Sequence, residues 1–298
     1  MREGAYAGVM FALLAAVGFS AKAILVKLAY QYRVDTVTLL ALRMAFAMPF
    51  FIAVLLWVRR RQLCALMPSD WLMIFGLGLV GYYLSSLFDF LGLQYITAGL
   101  ERLILFLYPT ITVILSALIY RRAIGKRVLV AMALSYAGIA LVFLHDAGSR
   151  QGESVLLGAM LVFASTLSYS IYLVGAGHAI ARIGAERFTS YAMIVASAAC
   201  LLQFGATHPL SALELPVRVY EYAIAMAVFS TVLPVFLLSY AIRHIGSAHA
   251  SLIGSIGPVS TIYLAYLFLN EQVTLLQIAG AMLVMSGVLI ISLNRNRP

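Results

Sequence analysis

Long apolar stretches of this 298-residue chain contain charged residues, among them Lys22, Arg43, Asp89, Glu101 and Arg102. A charge inside a bilayer costs a few kcal/mol unless it is paired or faces a water-filled cavity. Each of these residues is therefore expected to have a charged partner or to line a cavity. Arg43 lies roughly 13 Å from the nearer end of its stretch, at a helical rise of 1.5 Å per residue. Its planar guanidinium suits the binding of a substrate carboxylate. A structural ion pair with Asp89 or Glu101 is the alternative.

The first apolar stretch carries two lysines, which its helical period separates. Lys22 and Lys27 are five residues apart, which places them about 140° apart around a helix. Lys27, near the end of the stretch, is expected to snorkel toward the headgroups. Lys22 is deeper and is a candidate cavity residue, with snorkelling as its alternative. Glu101 and Arg102 lie near the start of another stretch, where the sequence favours a solvated rim over a gate or proton site.

Polar side chains recur at helical spacing in two further stretches. Tyr83, Ser86 and Asp89 follow an i, i+3, i+6 pattern, so they share one helix face that could line a cavity for a small amphipathic solute. Ser168 and Tyr172, four residues apart, make a similar face. These residues, with Arg43 and Lys22, are the predicted substrate-binding set. Ordinary hydrogen bonding between helices is the alternative for each of them.

Prolines interrupt two apolar stretches at equivalent places. Pro109 and Pro258 each remove a backbone donor and kink a helix, and Gly257 precedes the second proline. The sequence therefore predicts hinges at Pro109, Pro258 and Gly257, with simple architecture as the alternative.

The elements that must position these residues are membrane spans. Hydrophobic residues make up 63% of the chain and charged residues 10%, which excludes a soluble globule. A bilayer core needs roughly 20 apolar residues. Ten stretches qualify, and the sequence predicts an all-α polytopic membrane protein. Their predicted bounds are 5–29, 34–58, 71–93, 97–120, 127–144, 155–176, 188–206, 219–241, 247–269 and 274–293.

Basic residues between the stretches indicate the orientation. With a cytoplasmic N-terminus, the inner connections carry 13 Lys and Arg residues and the outer ones carry 3. The positive-inside rule then predicts that both termini are cytoplasmic and that 145–154 lies outside. The basic residues form no separate domain, so the net charge of +9 does not indicate nucleic-acid binding. The two cysteines, Cys64 and Cys200, indicate neither a disulfide framework nor a metal site.

The chain contains an internal repeat. A shift of 149 residues aligns Pro109 with Pro258 and Gly138 with Gly287, together with the ends of the surrounding stretches. We therefore predict two repeats of five helices, residues 1–147 and 148–298. Because five is odd, the second repeat enters the membrane from the opposite side, and such inverted repeats are typical of secondary transporters.

Several segments of the sequence resemble a known family. Residues 256–258 (Ile-Gly-Pro) and 267–274 (Leu-Phe-Leu-Asn-Glu-Gln-Val-Thr), with 41–43 and 91–98 in the first half, are similar to the EamA repeat of the drug/metabolite transporter superfamily. Bacterial members of this size look like inner-membrane exporters, many of them for amino acids. The family's acidic residue after the fourth span of a repeat is present as Glu271, whereas the first half has Arg122 there. A role that needs a symmetric carboxylate pair is therefore not expected.

Together these features predict a secondary active transporter that exports small metabolites, amino acids in particular, by alternating access. Its expected partners are the solute and membrane lipid, with the proton as a candidate coupling ion, and no cofactor or metal is expected. A multidrug exporter of lipophilic cations is the first alternative. A lipid-modifying membrane enzyme is disfavoured because the five histidines are scattered. A channel is disfavoured because no stretch carries a long polar stripe.

Overall fold

The computed structural model describes residues 2–59, 66–121, 125–149, 152–254 and 256–294. Within these ranges the regular structure is helical and contains no strand. The α-helices are α1 (Arg2–Tyr30), α2 (Thr36–Arg59), α3 (Pro68–Gly78), α4 (Ser85–Gly92), α5 (Ala98–Leu105), α6 (Tyr108–Ile119), α7 (Lys126–Ser149), α8 (Gly152–Ile183), α9 (Ala185–Thr207), α10 (Val217–Ala227), α11 (Leu233–Gly254), α12 (Gly257–Leu269) and α13 (Leu275–Asn294). Residues of the charge and cysteine patterns that lie outside the described ranges are Arg60, Arg61, Cys64, Arg122, Arg150, Arg295 and Arg297.

The apolar stretches form the predicted helices. Eight helical stretches in the described part of the chain are long and apolar enough to cross a membrane, and two shorter apolar helices, α12 and 275–290 within α13, bring the total to ten. The first four run over Tyr6–Tyr30, Thr36–Val58, Pro68–Gly92 and Ala98–Ile119, close to the predicted bounds. The prediction of a polytopic helical membrane protein is confirmed.

Two spans contain a π-helical turn that the sequence analysis did not predict. These turns are Leu79–Leu84, between α3 and α4, and Val228–Val232, between α10 and α11. They begin 149 residues apart, the offset of the internal repeat. A π turn leaves carbonyl groups without their usual partner, and Ser168 Oγ donates to the Val80 carbonyl at 2.6 Å. The match between the halves agrees with the predicted duplication.

The two prolines begin helices rather than lying inside them. Pro109 is in the first turn of α6, and Pro258 is in the first turn of α12. The preceding helix α5 ends at Leu105, so the span breaks before Pro109, where the missing donor costs nothing. The predicted hinge residues therefore stand at real breaks in helical hydrogen bonding.

Helical geometry continues through residues 241–247, where a connection between spans is predicted. The chain nevertheless reverses its direction along α1. Close contacts pair Gly18 with Phe229, Gly8 with Ile245 and Ser20 with Gly257. The chain from Phe229 to Gly257 therefore follows α1 in one direction as far as Ile245 and then returns along it.

Helices α7 and α13 cross closely through glycines. A Cβ on Gly280 would lie 2.7 Å from the Gly138 carbonyl oxygen, and one on Gly138 would lie 2.5 Å from the Gly280 carbonyl oxygen. Small residues allow such close approach in membranes, where apolar surface alone provides little association energy. These helices pack mainly on each other, and they share one apolar cluster with α5.

We expect the Gly280→Leu substitution to separate α7 from α13 and to lower the yield of folded protein. Overpacking a close contact typically costs about 1–3 kcal/mol, and here the obstacle is backbone, which cannot move aside. Gly76→Leu is the matched control, because a Cβ at Gly76 meets nothing within 4 Å. Thermal midpoints of the two variants in detergent, measured by size-exclusion chromatography, check the expectation. Equal midpoints would contradict it.

Candidate functional site

The centre of the site is Lys22, which lies between two carboxylates. Lys22 Nζ is 2.5 Å from Asp89 Oδ2 and 3.1 Å from Glu101 Oε1. Asp89 is 3% exposed and Glu101 is fully buried, so the ammonium between them compensates charge that would be costly to bury alone. The residues come from α1, α4 and α5, and this ion-pair cluster therefore joins three spans. We call Lys22, Asp89, Glu101 and Arg102 the Lys22 cluster.

The expectation of a solvated rim is wrong for Glu101. Thr97 caps α5 by accepting a hydrogen bond from the Leu100 amide at 3.1 Å, so α5 does begin as predicted. However, Leu100 and Leu103 are completely buried and pack in one apolar cluster with residues of α7, α8 and α13. The first turn of α5 therefore lies inside the bundle rather than at its surface, and Glu101 is buried with it.

Arg102 adds a second cation to the cluster. Its NH1 group donates to the Phe19 carbonyl at 3.5 Å, and its guanidinium lies 5.6 Å from the centre of the Phe106 ring. Arg102 also lies against the predicted hinge, because a Cβ on Gly257 would be 2.9 Å from its NH2 atom. The two cations and two acids of the Lys22 cluster cancel in formal charge.

Arg43 lies beside this cluster without an acidic partner. It is 6% exposed, and its NH2 group lies 3.5 Å from Ser86 Oγ. Its guanidinium stands over the Phe90 ring, 5.1 Å from the ring centre, which is a cation–π contact. Its Nε and NH1 atoms are buried with no hydrogen-bond partner among the described residues. In the described part of the chain Arg43 makes no ion pair, since the predicted partners Asp89 and Glu101 are within ion-pair distance of Lys22 instead.

Most of the predicted binding residues lie on α4, in the turn before it, or in contact with it. Ser86 contacts Arg43, and Asp89, one helical turn further on, contacts Lys22. The second carboxylate oxygen of Asp89, Oδ1, is buried with no hydrogen-bond partner in the described structure. Tyr83 lies in the π turn and packs against the apolar cluster that contains Phe90. Arg43, with unpaired donors, and Asp89, with an unpaired acceptor, thus lie beside the same face of α4, at positions one helical turn apart.

Ser168 and Tyr172 lie at a different contact. Ser168 bonds to the Val80 carbonyl, and the Tyr172 hydroxyl is 2.9 Å from the Tyr82 hydroxyl. A Cβ on Gly81 would overlap the Tyr172 ring, so α8 packs directly on the π turn. The polar atoms of Ser168 and Tyr172 therefore serve the contact between helices, and the structure does not bring them to the Lys22 cluster.

Sequence reasoning missed two features of the site. Ser20 donates from its hydroxyl to the Gly257 carbonyl at 3.0 Å, which ties α1 to the start of α12. Phe90 provides the ring beneath Arg43. Both residues are close to charged residues in the sequence, which is the signal that could have identified them. Their contact partners depend on how the helices are rotated, so the sequence does not predict these contacts. Among the described residues no group of three or more His, Cys, Asp or Glu side chains could hold a metal ion.

A helical membrane bundle with paired and unpaired charges in its interior is the architecture of a membrane transporter. The EamA-like transporter family matches residues 6–144 and 156–293, and the chain belongs to that family. Its members are transporters rather than enzymes, and they carry small molecules.

Individual proteins are also similar to this chain over most of its length. The uncharacterized transporter YcbK of Bacillus subtilis (strain 168) is 32% identical over 286 residues, which cover 94% of this chain and 90% of the relative. The uncharacterized transporter YyaM of the same organism is 25% identical and is matched over 72% of this chain and 70% of its own. A solved crystal structure has the same fold, with a TM-score of 0.67, 19% identity and 97% of both chains covered.

Proposed function

We propose that this protein exports small metabolites, and amino acids in particular, across a bacterial inner membrane by alternating access. The observation that carries this proposal is the buried, unpaired guanidinium of Arg43. A buried charge without a partner is costly to the fold. Its retention is explained if a solute supplies the missing anion, and a guanidinium binds a carboxylate through two parallel hydrogen bonds.

The surroundings of Arg43 favour a zwitterion over a simple acid. Asp89 Oδ1 provides an unpaired acceptor near Arg43, suited to an ammonium group. An α-amino acid has its ammonium and carboxylate groups on one carbon, so it can span these two positions. Phe90 and Tyr83 provide an apolar wall for its side chain. Because the charges of the Lys22 cluster cancel, Arg43 gives the site a net positive charge. This charge disfavours a solute that carries only positive charge.

Ion pairs at opposite ends of the bundle support alternating access. At one end Lys27, which was expected to snorkel, lies 3.5 Å from Glu271. At the other end Arg182 lies 3.1 Å from Asp70, a buried residue in the first turn of α3. Each pair joins the first half of the chain to the second. Opening one pair while the other stays closed would expose a central site to one side at a time.

The proposed orientation predicts opposite labelling of two cysteines. Gly148→Cys lies in the segment expected outside, and Gly125→Cys lies in a connection expected inside. A Cβ at either glycine meets nothing within 4 Å, so both variants should fold normally. In intact cells an impermeant maleimide should label Gly148→Cys and leave Gly125→Cys unlabelled until the cells are lysed. The reverse pattern would overturn the assignment.

Exchange in proteoliposomes tests the proposed substrate class. Vesicles preloaded with the twenty common L-amino acids should accumulate a radiolabelled amino-acid mixture from outside, with saturation, and Arg43→Ala vesicles should not. Labelled tetraphenylphosphonium is the competing probe. Saturable exchange of that cation alone, unaffected by Arg43→Ala, would replace amino acids with lipophilic cations. Repeating the assay with the pH gradient collapsed tests coupling to protons, for which Asp89 and Glu101 are the candidate groups.

A further inference from the structure

A polar pocket lies near the Lys22 cluster, at the ends of α1 and α4. Its volume is about 500 Å³, and its walls include Lys27, Gln31, Arg33, Leu93, Gln94 and Glu271. Small-molecule sites commonly have volumes of about 300–1,000 Å³. We call it the Lys27 pocket. It combines two cations with one acid, so it carries an excess positive charge.

We propose that the Lys27 pocket is a second solute site, which binds the carboxylate of a small organic solute between Lys27 and Arg33. The inference rests on the proposed export function, in which this pocket holds the solute on its way between the Arg43 site and the predicted outer side. Gln31 and Gln94 provide amide groups for the remainder of a polar solute. Leu93 provides an apolar surface for its carbon chain.

The ion pair of Lys27 is loose enough to be exchanged. Lys27 Nζ is 3.5 Å from Glu271 Oε1, and the same oxygen lies 3.4 Å from the backbone amide of Ala98. Both distances exceed those of good charge-assisted hydrogen bonds, about 2.7–2.9 Å. A solute carboxylate can therefore compete with Glu271 for Lys27, while Glu271 keeps the Ala98 amide as a partner.

Arg33 occupies an unusual backbone conformation in the pocket wall. Its φ angle is 58°, in the left-handed region, and its amide donates to the Tyr30 carbonyl at 3.0 Å. A non-glycine residue pays strain there, and such strain concentrates at functional positions. The Arg33 side chain makes no ion pair with any residue that the structure describes. It is therefore a cation available to a solute.

Tyr30 lines the Lys27 pocket and Phe90 lies beneath Arg43, so these two residues form a layer that connects the two sites. The Tyr30 hydroxyl donates to the Phe90 carbonyl at 2.7 Å, and the Phe90 ring lies under Arg43. Along α1, Lys27 is five residues from Lys22, about 7.5 Å. A solute that leaves Arg43 when this layer opens would meet Lys27 and Arg33 next, so one carboxylate can pass between the two cationic sites.

Protection of an introduced thiol tests the pocket directly. The protein carries Gln31→Cys and Cys64→Ser, with Arg43→Ala to disable the other site, and is held in nanodiscs so that both faces are accessible. N-ethylmaleimide, an uncharged reagent, modifies the new thiol. The probe 4-methylpentanoate, which has a carboxylate but no amine, should slow this modification about tenfold at ten times its Kd, by mass action. The matched amine 3-methylbutylamine should give no protection.

Charge variants assign the protection to the pocket. Arg33→Gln and Lys27→Gln should each weaken protection by 4-methylpentanoate at least about tenfold in Kd. Glu271→Gln should strengthen it, because Lys27 loses its competing acid. Arg218→Gln is the control, since Arg218 pairs with Glu221 at 2.9 Å and is outside the pocket. Equal protection by the amine, no protection, or protection unchanged in Arg33→Gln would overturn the proposal. Protection without amino-acid exchange in the transport assay would instead overturn the export function alone.

Discussion

Replacing Lys22 with methionine is expected to remove most of the folded protein from a detergent extract. The substitution keeps the length of the side chain but leaves Asp89 and Glu101 buried without the ammonium between them. Removing one partner of a buried ion pair typically costs 3–5 kcal/mol, and here two acids are left. Since proteins are stable by only about 5–15 kcal/mol, such a loss is severe. Folded yield and thermal midpoint by size-exclusion chromatography check it.

Rescue distinguishes loss of charge balance from loss of packing. Lys22→Met combined with Asp89→Asn leaves one acid, Glu101, and one cation, Arg102, in the Lys22 cluster. Its formal charges cancel again, so this variant should regain most of the folded yield. Arg218→Gln serves as the control for removing a cation from an exposed pair, whose partners are 66% and 52% exposed. That change should leave the thermal midpoint nearly unchanged, because water screens an exposed pair. A Lys22→Met protein as stable as the parent would show that the two acids do not depend on Lys22.

The spans were predictable because the bilayer imposes a simple rule on the sequence. A helix must stay apolar for about 20 residues and then end. Polar and turn-forming residues accordingly mark the ends of α1 and α2, where Arg33 and Asp35 separate Tyr30 from Thr36. The π turn at Leu79–Leu84 was not predictable, because its composition is as apolar as that of the helix around it. Its formation depends on α8 packing directly against Gly81.

Charge partners in the site depend on rotation of the helices, which hydrophobicity does not determine in a membrane. The sequence identified Lys22, Arg43 and Asp89 as buried charges whose presence must be explained. The partner that it offered for Asp89, as an alternative, was Arg43. Contacts of small residues orient α1 instead. A Cβ on Gly18 would lie 2.7 Å from both the Phe229 carbonyl oxygen and the Pro234 ring, so α1 fits against the second half in one orientation. That orientation brings Lys22, rather than Arg43, to Asp89.

The pairing of Lys22 with both acids changes what is expected of Arg43. Its removal leaves no described acid unpaired, so Arg43→Met should fold at least as well as the parent. It should even raise the thermal midpoint, because an unpaired buried charge is replaced by an apolar side chain. Transport should be lost in the same protein. Loss of two charged hydrogen bonds to a carboxylate, at about 1.5 kcal/mol each, predicts a Kd for the transported amino acid weaker by roughly 100-fold.

Arg43→Lys separates charge from geometry at the same position. Lysine keeps the positive charge but loses the planar fork that binds both carboxylate oxygens, so affinity should fall by about tenfold, or 1.4 kcal/mol. If Arg43 binds the solute, affinity should decrease from the parent to Arg43→Lys and again to Arg43→Met, while stability stays unchanged or rises. This combination is specific to a residue that binds solute. A structural residue would give the opposite relation, with stability falling in the same order as activity. Unchanged affinity in a stable Arg43→Met protein would exclude Arg43 from the site and leave the unpaired oxygen of Asp89, with Tyr83 and Ser86, as the remaining solute contacts.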